Sequence, residues 1–166
     1  SRPAEGKLTD LWAKVLVLAD ADGQRAAMVT LDLVGIGREL SQSICEELQQ
    51  QYGLQRDQVA LFTSHTHTGP VVGRNLGPLH YGLVDSKQRE LIDEYSAWLQ
   101  EQVVAAVGRA IDDLAPCRVS WGSGTATFAV NRRENREAEV PELRPAQALV
   151  TGRMAAIEVR QGKHGP

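Results

Sequence analysis

Runs of apolar residues and their spacing divide the chain into a short series of elements. Trp12 to Ala19 is an apolar, strand-forming run, Asp20-Ala21-Asp22-Gly23 is a turn, and Arg25 to Leu33 is a second such run, so the three predict a β-hairpin. Leu40, Ile44, Leu48 and Tyr52 recur every fourth residue with glutamates and glutamines between them, which predicts a helix from about Gly37 to Tyr52, ended by Gly53. Val59 to Thr63 is the next strand. Paired beside Arg25 to Leu33, it would complete a right-handed parallel crossover.

Beyond it the pattern lapses. Val71 to Asp85 is an irregular loop with three glycines and Pro78, and a long helix then runs from about Ser86 to Leu114. Its apolar stripe, Leu91, Ile92, Tyr95, Leu99, Val103, Val107, Ile111 and Leu114, is a packing face. The last third is β-rich: Cys117 to Gly122 and Thr125 to Val130 are strands bent at Gly122-Ser123-Gly124, and Met154 to Arg160 is a final strand. Together these elements predict an α/β fold, a mixed, largely parallel sheet with packed helices. The terminal Gln161 to Pro166 resembles a hairpin turn without a following strand, as if the chain stopped within its fold.

Composition narrows the functional classes. With 166 residues, 42% hydrophobic and 23% charged, the chain has the make-up of one soluble globular domain. Its 18 basic and 21 acidic residues leave a net charge of −3 without any basic block, which argues against nucleic acid as a partner. No run approaches the roughly 18 apolar residues of a membrane span. Cys45 and Cys117 lack metal spacing and are expected to be small buried hydrophobes, with nothing to support a disulfide between them. Ser1-Arg2-Pro3 carries no signal pattern, so any targeting segment is expected outside this sequence, and the compartment is not read from it.

The candidate chemistry gathers at Ser64-His65-Thr66-His67-Thr68-Gly69-Pro70, where an apolar strand runs into two histidines and breaks. Strand alternation puts His65 and His67 on one side, which is how a sheet edge offers two imidazoles to one ion or one substrate atom. Asp32 closes the preceding apolar run; it is either a cap for the helix that follows or an outer partner that steadies a histidine. In the loop, Arg74, Asn75, His80 and Tyr81 could meet a substrate or simply be solvated. Asn131-Arg132-Arg133 opens a run of mixed charge after a strand, ordinarily a solvated loop, but one whose first arginine could reach the same crevice.

The His-x-His segment, followed about sixty residues later by Val130-Asn131-Arg132, resembles the neutral/alkaline non-lysosomal ceramidase family, whose amino-terminal domain carries Thr-His-Thr-His-Ser-Gly-Pro and then Asn-Arg-Ser. The element order matches as well. Ser64 and Thr68 exchange the family's Thr and Ser, Arg133 stands where the family has serine, and the glycine-rich continuation after the motif is replaced by Val71-Val72-Gly73-Arg74. This is the pattern of a divergent, bacterial-type member.

The resemblance implies that residues 1–166 are part of one catalytic domain, lacking its first strand and its carboxy-terminal portion. It implies a zinc-dependent hydrolase that cleaves an N-acyl sphingoid base into fatty acid and sphingoid base. His65 would ligate Zn2+, His67 would hydrogen-bond the substrate carbonyl or its oxyanion and Arg132 would assist there; Asn131, together with Arg74 and Asn75 of the loop read above, is expected to contact substrate. The remaining ligands are expected beyond Pro166, so this segment alone is expected to be inactive. A lipid amide substrate, association of the complete protein with a membrane surface and a secreted or periplasmic location follow from the same likeness. Two rivals remain: a barrel-fold metal amidohydrolase, which also places His-x-His at a strand end, and a ceramidase-like module that binds without catalysis.

Overall fold

In the computed structural model, which describes residues 4–126 and the strand 152–161, β1 (Ala13–Ala19) and β2 (Arg25–Leu31) form an antiparallel hairpin. Its turn is tied by Asp20: the carboxylate accepts the Asp22 and Gln24 backbone N–H groups at 3.0 and 2.8 Å, and the carbonyl accepts from Gly23 at 3.1 Å. β2 is two residues shorter than expected. Leu33 N–H turns back onto the Leu31 carbonyl at 2.9 Å, and the chain leaves the sheet there.

Helix α1 (Arg38–Tyr52) follows the periodicity closely, with Ile44 and Leu48 fully buried and Leu40 and Tyr52 packed at the rim. Gly53, at φ 70°, closes it by donating to the Gln49 carbonyl. A single 3-10 turn, Arg56–Gln58, then leads into β3 (Val59–Thr63), which pairs parallel to β2 and completes a mixed sheet of order β1-β2-β3.

The second helix, α2 (Ser86–Asp112), starts where Asp85 accepts the Gln88 N–H at 2.8 Å. Its buried stripe is Leu99, Val103, Val104 and Val107, flanked by Tyr95 and Ile111; Leu91 and Leu114 lie outside it, 57% and 40% exposed. The stripe and α1 share one core with Val17, Ala27, Val29, Leu31 and Val59, the inward positions of the sheet. Alternation puts Ala26, Met28, Thr30 and Phe62 on the sheet's other face, where Phe62 is half exposed. Each fully buried leucine or isoleucine here contributes about 1.5–3 kcal/mol.

Contacts gather the chain into two units, Ser1–Leu114 and Ala115–Pro166. The second holds β4 (Cys117–Ala126) and β5 (Gly152–Gln161), antiparallel over ten residue pairs. β4 corrects the expectation of two strands parted at Gly122-Ser123-Gly124: one strand continues unbroken through both glycines, which leave open space around them. Cys117 corrects a second expectation, being exposed where Cys45 is buried, and both thiols are free. No described helix is long and apolar enough to cross a membrane.

Candidate functional site

The two imidazoles do come together, though by a different route from strand alternation. β3 ends at Thr63, Ser64 N–H makes one more bond to the Leu31 carbonyl at 3.0 Å, and the chain then swings at His65, whose φ is 60°. Left-handed backbone at a residue with a side chain is uncommon and costs on the order of 1–2 kcal/mol, so it marks a conformation the surroundings impose. It brings the His65 and His67 ring centroids to 4.9 Å, edge to face at 79°. Both side chains are exposed.

The turn is held from beneath. Thr66 and Thr68 hydroxyls lie 3.0 Å apart, and Thr68 N–H donates to the Thr66 hydroxyl at 3.4 Å. Gly69 passes so close to the end of β2 that a Cβ there would sit 3.0 Å from the Asp32 carbonyl oxygen.

His65 has one defining partner: its Nδ1 lies 2.7 Å from the Val34 carbonyl oxygen. A carbonyl only accepts, so Nδ1 carries a proton, and in the neutral ring the lone pair then sits on Nε2. That is the arrangement a metal-binding histidine needs, one nitrogen anchored and the other bare. The described residues thus fit a zinc ion as part of a ligand set, with His65 the best-prepared donor. Among them no three His, Cys, Asp or Glu side chains gather closely enough to complete one.

Asp32 lies elsewhere in this network. Its carboxylate accepts the Trp12 backbone N–H at 2.9 Å while its own N–H donates to the Trp12 carbonyl at 3.0 Å, so it extends the hairpin by one pair. Among the described residues no hydrogen bond joins it to either imidazole. Asn75 does approach the site's floor: its amide nitrogen would be 2.9 Å from a Cβ on Gly35, the residue after Val34. Arg74 instead lies 6.0 Å from the centre of the Tyr81 ring, and Arg89 lies 5.7 Å from it. His80 is half-buried in the same loop. Asn131 and Arg132 lie outside the described residues.

Sequence reasoning missed the Val34 carbonyl, since every residue carries one and no side-chain pattern marks it. A groove along α1, lined by Gln42, Cys45, Glu46, Gln49 and Arg56, contains none of the candidate residues. Cys45 within it is buried, and desolvation pushes its thiol pKa up, which disfavours the reactive thiolate.

Comparison with known proteins bears on all of this. Residues 1–141 match the family model for neutral/alkaline non-lysosomal ceramidase, N-terminal. The chain is 27% identical over 142 residues to neutral ceramidase of Drosophila pseudoobscura pseudoobscura, covering 84% of this chain and 20% of that protein. Among solved structures, a ceramidase complexed with C2 aligns with a TM-score of 0.65 at 23% identity, over 91% of this chain and 23% of that one. Neutral ceramidase from Pseudomonas aeruginosa aligns with a TM-score of 0.62 at 22% identity, over 90% and 24% of the two chains. The chain therefore spans between a fifth and a quarter of the length of these relatives.

Proposed function

Because this chain belongs to the neutral/alkaline non-lysosomal ceramidase family, we propose that it supplies one side of the active site of a zinc-dependent amide hydrolase acting on an N-acyl sphingoid base. The observation that carries the reading is the anchored His65, whose Nδ1 lies on the Val34 carbonyl so that the neutral ring keeps its lone pair on Nε2.

His65 holds the metal through Nε2, and the Val34 contact fixes the ring's tautomer and direction without further reorganisation. Bound there, zinc would supply Lewis acidity and a water acidic enough to react near neutral pH. His67, with its ring 4.9 Å from that of His65, donates a hydrogen bond to the substrate carbonyl oxygen and holds it as negative charge develops there. One such donor is worth on the order of 3 kcal/mol in the transition state. Asn75, beside Gly35, orients the substrate, and Arg132 enters this reading on the family resemblance alone. Among the described residues His65 is one ligand of a set that they do not complete.

The test is release of fatty acid from an N-acyl sphingoid base by the protein that carries this chain together with the rest of its catalytic domain. His65→Ala is expected to lose both zinc and turnover. His67→Ala is expected to keep zinc while kcat falls by about a hundredfold or more. Full turnover in the His67 variant would remove its catalytic role, and a zinc-independent rate would remove the mechanism.

A further inference from the structure

The carbonyl that anchors His65 belongs to a stretch with little main-chain support. Among the described residues no backbone–backbone hydrogen bond holds Val34, Gly35 or Ile36: Leu33 N–H turns back onto the Leu31 carbonyl before them, and α1 opens after them with Ser41 N–H donating to the Gly37 carbonyl at 3.0 Å. A carbonyl in such a stretch is aimed by what packs against it. Ile36 packs against the core. Gly35 packs against Asn75, and it can do so only because it has no side chain: a Cβ there would meet Asn75 Nδ2 at 2.9 Å and Asn75 Cγ at 3.7 Å.

Asn75 is itself tied down. Its N–H donates to the carbonyl of buried Val72 at 3.3 Å, and Gly73 N–H donates at 2.7 Å to the hydroxyl of Ser96, which is buried on α2 and donates in turn to the Ile92 carbonyl at 2.6 Å. The Asn75 amide makes no hydrogen bond among the described residues, so its contact with Gly35 is one of packing. His65 takes its direction from the path of the main chain at Val34, and Asn75 bears on that path.

We propose that Asn75 is a positioning residue for His65, acting through Gly35. Seated where a side chain on residue 35 would be, it braces the 34–36 stretch so that the Val34 carbonyl faces the imidazole; with Nδ1 held as the donor, the lone pair stays on Nε2. The inference rests on the reading of His65 as a zinc donor and gives Asn75 a task separate from contact with substrate. Through Gly73 and Ser96 it also makes α2, which carries none of the candidate residues, a support of the site.

The test is nitrogen NMR of the histidine side chains in the 166-residue chain at pH 8, first without zinc and then with it. Asn75→Ala removes the brace, and it is expected to move the His65 tautomer ratio toward Nε2–H by about fivefold and to weaken zinc binding by about tenfold. Gly35→Ala is expected to do the same with little change in stability, because its φ is one that alanine adopts and the methyl displaces only the movable end of Asn75. Asn75→Leu fills a similar volume without hydrogen-bonding groups and is expected to keep both parental values. The double variant, Gly35→Ala with Asn75→Ala, should lose no more than either single one, since both remove the same contact.

The tautomer ratio is read without metal or substrate, so it reports on the brace independently of the zinc reading. A parent chain in which zinc leaves the His65 Nε2 resonance unmoved would overturn that reading, while the tautomer shift in Asn75→Ala would still support the brace. An unchanged ratio in Asn75→Ala, a leucine variant as impaired as the alanine one, or losses that add in the double variant would overturn the proposal. So would equal tautomer changes at His67 and His80 together with a lowered urea midpoint, which would mark a general loosening of the fold.

Discussion

The Nδ1 atom of His65 lies 2.7 Å from the carbonyl oxygen of Val34, and this contact ties the turn after β3 to the segment that leaves β2. It orients one imidazole through the backbone of a neighbouring element, without any carboxylate. Because the acceptor is main chain, the ring's direction depends on the path of residues 31–35 rather than on another side chain.

His65 adopts its φ of 60° against its own steric preference. Glycine at that position would relieve the strain and alanine would not, so His65→Gly is expected to be more stable than His65→Ala by about 1 kcal/mol. Urea midpoints of the two variants check this. Equal midpoints would mean that the left-handed turn is not present in solution.

Gly69 is expected to tolerate no side chain. A methyl there meets the Asp32 carbonyl at 3.0 Å, and backbone cannot swing aside as a long side chain would. Gly69→Ala should therefore cost about 1–3 kcal/mol and displace the His67 turn, seen as chemical-shift changes at both histidines. A variant with unchanged shifts and stability would show that the turn does not seat against β2.

The two cysteines should separate cleanly in a thiol-labelling time course at pH 8. Cys117 is exposed, whereas Cys45 is buried with its pKa pushed up by desolvation. One equivalent is expected to react quickly and the second only as the chain opens. The same shift has a stability consequence. A thiol whose folded-state pKa is raised stabilises the fold while protonated, and that contribution is lost as pH climbs through and above the ordinary thiol range of about 8.5. Tyr95, also raised by burial, acts in the same direction at higher pH. Denaturant midpoints should fall on the alkaline side, and less so in Cys45→Ala relative to its own value at pH 7.

Much of the fold was legible because its core obeys simple periods. Ile44 and Leu48 on α1, and Leu99, Val103 and Val107 on α2, are buried at helical spacing, and Val59 to Thr63 pairs beside β2 as its apolar run suggests. The misses have local causes. Leu91 shares the helical spacing, yet it lies outside the buried stripe of α2. Gly122 and Gly124 suggest a break, but pairing with a strand more than twenty-five residues away keeps β4 continuous, and sequence pattern does not show long-range partners. The histidines were found by residue type and spacing, whereas their juxtaposition depends on a left-handed turn and a carbonyl that no residue type announces.

The most direct test of the site is nitrogen NMR of the histidine side chains in the 166-residue chain at pH 8, followed by a zinc titration. His65 is expected as the tautomer protonated at Nδ1, with added zinc shifting its Nε2 resonance first and binding only weakly for want of further ligands. A His65 ring protonated at Nε2, or a zinc response confined to its Nδ1, would contradict the assignment of that side chain as the metal's anchor.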